Sequence, residues 1–139
     1  MGFSYVVAVA VLLSSSLIFF GMVYSDFVHA EAQLKNAQDN FNNHNYDYLN
    51  SKVSITGYNY TPSGPNYSVT LNVTNTGSVT LDLNNTNLLV NGTLVNFTYA
   101  NQYLFPLGND SVQFTTGAGV YDIEIVFNTG YLQYGKVTT

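Results

Sequence analysis

Hydrophobic patterning changes character twice along this 139-residue chain, and the two changes predict a mainly β protein: a C-terminal β-sandwich preceded by one long N-terminal transmembrane and stalk helix. From Met1 to Ser25 no side chain is charged; from Phe27 to Tyr48 apolar residues recur at steps of three and four; beyond Lys52 apolar and polar residues alternate. These patterns place a transmembrane helix at 1–25, a helical stalk or linker at 26–50 and the β-sandwich domain at 51–139.

The anchor is argued from length. The ~22 residues from Phe3 to Tyr24 make a helix of roughly 33 Å, enough to cross a hydrocarbon core of about 30 Å. Tyr5 and Tyr24 stand near its ends, where amphipathic rings favour the headgroup zone. Ser14, Ser15 and Ser16 interrupt the apolar run, but small hydroxyls bond back to the preceding turn and also permit close helix approach. A cleaved secretory signal would have a basic start, a shorter apolar core and a small-x-small cleavage site, whereas the first basic residue is Lys35. Myristoylation after Met-Gly asks for Ser or Thr at the sixth position, where Val6 stands. A buried helix of a soluble protein would rarely be so long in so small a domain.

Beyond the anchor, Phe27, Ala30, Leu34, Ala37, Phe41 and Tyr48, with His44 in the remaining place, describe one apolar stripe, a candidate helix–helix seam of about three heptads. Such a seam is too short and too rich in Ala and Asn to hold alone, so it packs on the chain's own β domain or on a neighbouring helix. The Asn-rich segment Asn40–Asn50 has poor helix propensity and is expected to be a frayed end or hinge. His29 and His44 have no second ligand at metal spacing and are read as solvated or packed.

In Tyr67–Thr74 the odd positions are apolar and the even ones polar, the mark of a strand with one buried face, which turns Asn72 outward. Asn75-Thr76-Gly77 then reads as a turn and Val79–Leu83 resumes the alternation, so the pair is a hairpin or a tight strand-to-strand connection. Further runs follow at Leu88–Val90 before an Asn91-Gly92 turn, Leu94–Tyr99, Val112–Phe114, Tyr121–Phe127 and Tyr131–Val137. In the fourth of these segments Tyr121, Ile123, Ile125 and Phe127 share a face opposite Asp122 and Glu124. Seven or eight short strands separated by turn residues predict an immunoglobulin-like sandwich, and about 90 residues suffice to close its core.

Seven Asn-x-Ser/Thr triplets, at Asn59, Asn66, Asn72, Asn84, Asn91, Asn96 and Asn109, all lie in this domain and mark it as a candidate glycosylated surface outside the cell. The expected topology is therefore single-pass, with the C-terminal domain in the cell envelope. Absence of cysteine leaves no disulfide to staple an exported domain and points to a prokaryotic source. Only Lys35, Lys52 and Lys136 are basic and eight residues are acidic, so the surface must consist of Asn, Thr, Ser, Tyr and Gly. That composition excludes a nucleic-acid partner, which needs a basic patch to displace counterions. It also predicts stability weakly coupled to acid pH and an acidic medium outside; collapse of the soluble domain between about pH 5 and pH 3 would contradict this.

No site for chemistry is legible. The β domain has no His, Cys or Arg, so catalytic residues, metal and cofactor are all expected to be none. Asp82 and Asp110 lie beside Asn-rich loops where Ca²⁺ is conceivable, but solvated turn carboxylates are the expectation.

A Met1-Gly2-Phe3-Ser4 start running into an apolar helix, a polar stalk, and then Val73-Thr74-Asn75-Thr76-Gly77 and Val90-Asn91-Gly92-Thr93 in a β domain resembles the archaeal flagellar (archaellum) accessory proteins of the F family, with the G family second. The resemblance spans the whole chain through short motifs. It implies a non-enzymatic, membrane-anchored stator component of the motor that binds the surface-layer protein through its extracellular β domain. Its implied partners are the membrane, a companion archaellum accessory protein, and further copies of itself as a homodimer or higher oligomer. The chain also resembles archaellin or pilin filament subunits in its helix-then-sandwich order. Those carry Lys-Gly or Arg-Gly before the helix, and with Met1 as the first residue the peptidase site is missing, which favours the stationary role. A solute-binding or receptor domain is a third reading, for which no ligand pocket is announced.

Overall fold

The computed structural model describes residues 2–139 and resolves two compact units, one ending at Asn43 and one running from His44 to Thr139. A single helix, α1, covers Gly2–Asn50. It is, among the described residues, the one helix long and apolar enough to cross a membrane. Val6, Val7, Val9 and Val11 are poor helix formers in water, yet the segment is helical, the form in which a candidate membrane span satisfies its own backbone hydrogen bonds. The serines behave as their size allows: Ser14 Oγ donates to Ala10 O at 2.9 Å, Ser15 Oγ to Leu12 O at 3.0 Å and Ser16 Oγ to Leu12 O at 2.8 Å.

The expected frayed end at Asn40–Asn50 is not found; α1 is helical to Asn50. Helix ends leave carbonyls without partners, and here the β domain supplies them. Asn50 O accepts from Ser78 N at 3.0 Å, and just beyond the helix Lys52 O accepts from Thr76 N at 2.8 Å and Gly77 N at 2.9 Å. The Asn50 amide donates to Tyr46 O at 2.8 Å and Ser51 Oγ to Asp47 O at 2.6 Å. Ser51 Oγ also shares a 2.9 Å hydrogen bond with Thr129 Oγ1 in the β domain. Tertiary contacts thus override the weak propensity of the Asn-rich turn.

The β domain consists of antiparallel strands. One four-stranded sheet has the order β1 (Val53–Ser63), β2 (Asn66–Asn75), β8 (Asn109–Thr116), β6 (Thr98–Tyr99); another has β10 (Leu132–Thr138), β9 (Val120–Val126), β4 (Asn87–Val90), β5 (Thr93–Val95). A two-residue ladder joins β3 (Leu81–Asp82) to β7 (Tyr103–Leu104). Inward residues of both larger sheets, including Val69, Leu71, Val73, Val112, Phe114, Leu88, Ile123, Ile125 and Val137, make one hydrophobic core. The alternation of Val69, Leu71 and Val73 with polar neighbours is the expected one, and Asn72 is exposed.

Of the two readings of the Asn75–Gly77 turn, the hairpin does not form and the turn is a connection between strands of different ladders: β2 pairs with β1 and β8, and Leu81 pairs with Leu104. The hairpin of β2 is made with the preceding strand, across a turn at Gly64 (φ +64°) and Pro65. Pro62 inside β1 hides that strand from a sequence reading, and it is tolerated because β1 is a sheet edge. The Asn91-Gly92 turn forms as expected, with φ of +50° and +76°, and joins β4 to β5. On one side of the domain β1 and β10 meet, where Gly135 leaves room for the Ile55 side chain: a Cβ there would sit 2.7 Å from Ile55 Cδ1.

Candidate interaction surfaces

The residue types that make chemistry are sparse, so the surfaces are built from apolar tips, sheet edges and sequons. Asp82 caps the 3₁₀ turn Leu83–Asn85: its Oδ1 accepts from Asn84 N at 3.0 Å and its Oδ2 from the Asn85 amide at 2.6 Å. Asp110 departs from the expected solvated carboxylate. It is buried, with Oδ2 accepting from Asn101 N at 2.8 Å and Oδ1 from Ser111 N at 2.7 Å, so it fastens the segment before β7 to the start of β8. Both carboxylates thus serve backbone amides. Among the described residues no three His, Cys, Asp or Glu converge as metal ligands, and His29 and His44 are exposed.

The most distinctive local arrangement centres on Asn75, which is completely buried. Its amide donates to Val79 O at 2.7 Å and Leu104 O at 2.9 Å, while Oδ1 accepts from Gly77 N at 3.0 Å. Its backbone N donates to Gly108 O at 2.9 Å and its carbonyl accepts from Leu107 N at 2.8 Å. One side chain and its own peptide groups therefore tie the 76–80 loop to the 105–108 loop. Held this way, the second loop presents Phe105 (62% exposed) and Leu107 (85% exposed) on either side of Pro106, with the Tyr103 ring tilted 47° to that of Phe105 at a centroid distance of 6.5 Å. Leu107 has φ +62°, a left-handed conformation costly for a residue with a Cβ. Phe105 and Leu107 together form an exposed apolar tip on a firmly tied loop. Sequence reasoning missed it because a buried Asn is indistinguishable from a turn Asn; Pro106-x-Gly108 was the available signal of a tight loop.

A concavity of about 700 Å³ lies where the chain crosses between sheets, lined by Val95, Asn96, Phe97, Thr98 and Phe114 among others. Leu94 projects beside it and is largely exposed.

All seven sequon asparagines are exposed. Asn59 lies on β1, Asn72 on β2 and Asn109 on β8; Asn66 closes the β1–β2 hairpin, Asn91 sits in its left-handed turn, Asn96 is on the crossing between β5 and β6, and Asn84 is in the 3₁₀ turn. The seam residues Phe27, Ala30, Leu34, Ala37 and Phe41 are exposed along the helical unit. Tyr48 belongs to the β unit, where its ring lies against Gly130.

Comparison with protein-family models and with characterised proteins returns no match.

Proposed function

We propose that this chain is a membrane-anchored, non-catalytic stator component of an archaellum motor, of the protein F kind with protein G second, whose β domain lies outside the cell and binds the surface layer. The observation that carries this reading is the pairing of a span-length apolar helix with a β domain that exposes apolar side chains at a loop tip and contains no Cys, His or Arg. A stator must join something fixed in the membrane to an immobile wall, and these are the parts it needs. The two antiparallel sheets around a common core support an immunoglobulin-like sandwich as the wall-binding module. The Phe105–Leu107 tip is the contact we assign to it, since rigid apolar anchors carry most of an interface's energy.

The test is capture of purified surface-layer protein by the detergent-solubilised full chain and by the fragment His44–Thr139, together with deletion of the gene. Binding by both, and non-swimming cells that still make filament protein, is the expected result; retained motility defeats the stator reading.

One observation favours a filament subunit as the second reading: α1 is unbroken and its apolar stripe is exposed, as a helix that bundles in a fibre requires. Recovery of the chain chiefly in sheared filaments, with little in the membrane fraction, would select that reading.

A further inference from the structure

The outer face of the β1–β2–β8–β6 sheet has a composition that its register makes legible. Asn59 stands opposite Thr70, Asn72 opposite Ser111, and Asn109 opposite Thr74. Positions along β2 therefore place the three sequon asparagines on one diagonal across β1, β2 and β8, with steps of about 8 Å from the strand spacing and two-residue rise. Their neighbours on that face are Thr61, Thr70, Thr74, Ser111, Gln113 and Thr115. From Asn59 onward, each outward position of these three strands is Asn, Gln, Ser or Thr, without a charge or an apolar side chain. The outer face of the other sheet is different: it presents Leu132, Tyr134 and the Lys136–Asp122 ion pair, and no strand residue there is a sequon asparagine.

We propose that the outer face of the β1–β2–β8–β6 sheet is an N-glycosylation face, carrying N-linked oligosaccharides on Asn59, Asn72 and Asn109. The inference rests on the reading that the β domain lies outside the cell. An oligosaccharide on an outward strand asparagine leaves every ladder hydrogen bond and every core contact in place, so the native fold accepts it. It also answers a hazard of the fold: β1 is a long edge strand carrying exposed Tyr58 and Tyr60, and unpaired edge amides recruit other strands. A glycan at Asn59, midway along that edge, blocks lateral approach.

Two other sequons are closed off by local structure. At Asn84-Asn85-Thr86 the Thr86 side chain is buried, its hydroxyl donates to Asp82 O at 2.8 Å, and Asn84 Oδ1 accepts from Tyr99 OH at 3.1 Å. The bonds within Asp82–Thr86 span at most four residues, so they form early and withhold the third-position hydroxyl that defines the acceptor. Asn91 is held in a left-handed turn, with its Oδ1 accepting from Asp122 N at 2.8 Å, far from an extended acceptor.

The test uses the full chain purified from membranes of the cells that make it, with glycopeptide mass spectrometry of the wild type and of an Asn59→Gln/Asn72→Gln/Asn109→Gln variant, and with protease added to intact cells. The expected result is oligosaccharide mass on the peptides holding Asn59, Asn72 and Asn109, bare peptides at Asn84 and Asn91, loss of the three modified peptides in the variant, and digestion of the β domain from outside. Digestion from outside with the three asparagines bare overturns the glycan face and leaves the external location standing. Protection of the domain from external protease overturns the location, and the glycan face falls with it. Oligosaccharide at Asn84 or Asn91 with none at the three strand positions also overturns the proposal.

Discussion

Asn75 is wholly buried and its side chain hydrogen-bonds three backbone groups, Val79 O, Leu104 O and Gly77 N. Removing one partner of a buried hydrogen bond exposes the cost of the other, so Asn75→Ala is expected to lower stability by about 3–5 kcal/mol in urea unfolding. Leu107 predicts the opposite sign. At φ +62° a glycine relieves steric strain, and Leu107→Gly should raise stability by about 0.5–1 kcal/mol despite the more flexible unfolded chain. Phe105→Ala with Leu107→Ala separates contact from strain: fold stability should barely change, because both side chains are exposed, while capture of surface-layer protein falls by about tenfold or more. Neither Asn75 nor Leu107 was legible as such. Asn and Leu carry no local mark of burial or of left-handed backbone, and both properties arise from the loops that meet around them.

At the scale of elements, the last turn of α1 and the loops packed on it within the unit His44–Thr139 meet tightly. A Cβ on Gly77 would collide with Asn50 O and lie 2.6 Å from Lys52 N, both backbone atoms that cannot step aside. Gly77→Ala is therefore expected to destabilise by about 3 kcal/mol or more, read as a shift in the urea midpoint. The same junction makes His44–Asn50 part of the folding unit. A fragment beginning at His44 should exceed one beginning at Ser51 in stability by about 1–2 kcal/mol, the worth of the Ser51–Asp47 and Ser51–Tyr48 hydrogen bonds. The strands β2 and β9 and their buried faces were legible because alternation is a local property. The Asn91-Gly92 turn also marked the β4–β5 hairpin, but the neighbours of β2 were not legible, because that pairing is decided by contacts between residues distant in sequence, such as Val69 with Phe114.

For the whole molecule, electrostatics is a minor term. Lys136–Asp122, at 3.5 Å, is the ion pair among the described residues, and both side chains are well exposed. Exposed pairs contribute little and are screened by salt, so raising salt from about 0.1 M to about 1 M should move the stability of the β domain by less than about 0.5 kcal/mol. What the amino-acid sequence determined by itself is the order of parts: an apolar, charge-free helix, then a β domain without cysteine, histidine or arginine. Those follow from composition and period, which the chain carries locally. Tertiary structure decided the rest. It kept the Asn-rich turn helical by giving its carbonyls partners, buried Asp110 and Asn75, raised the Phe105–Leu107 tip into solvent, and gathered three sequons onto one face. Each depends on which segments meet, and strand register brings together residues as far apart as Asn59 and Asn109.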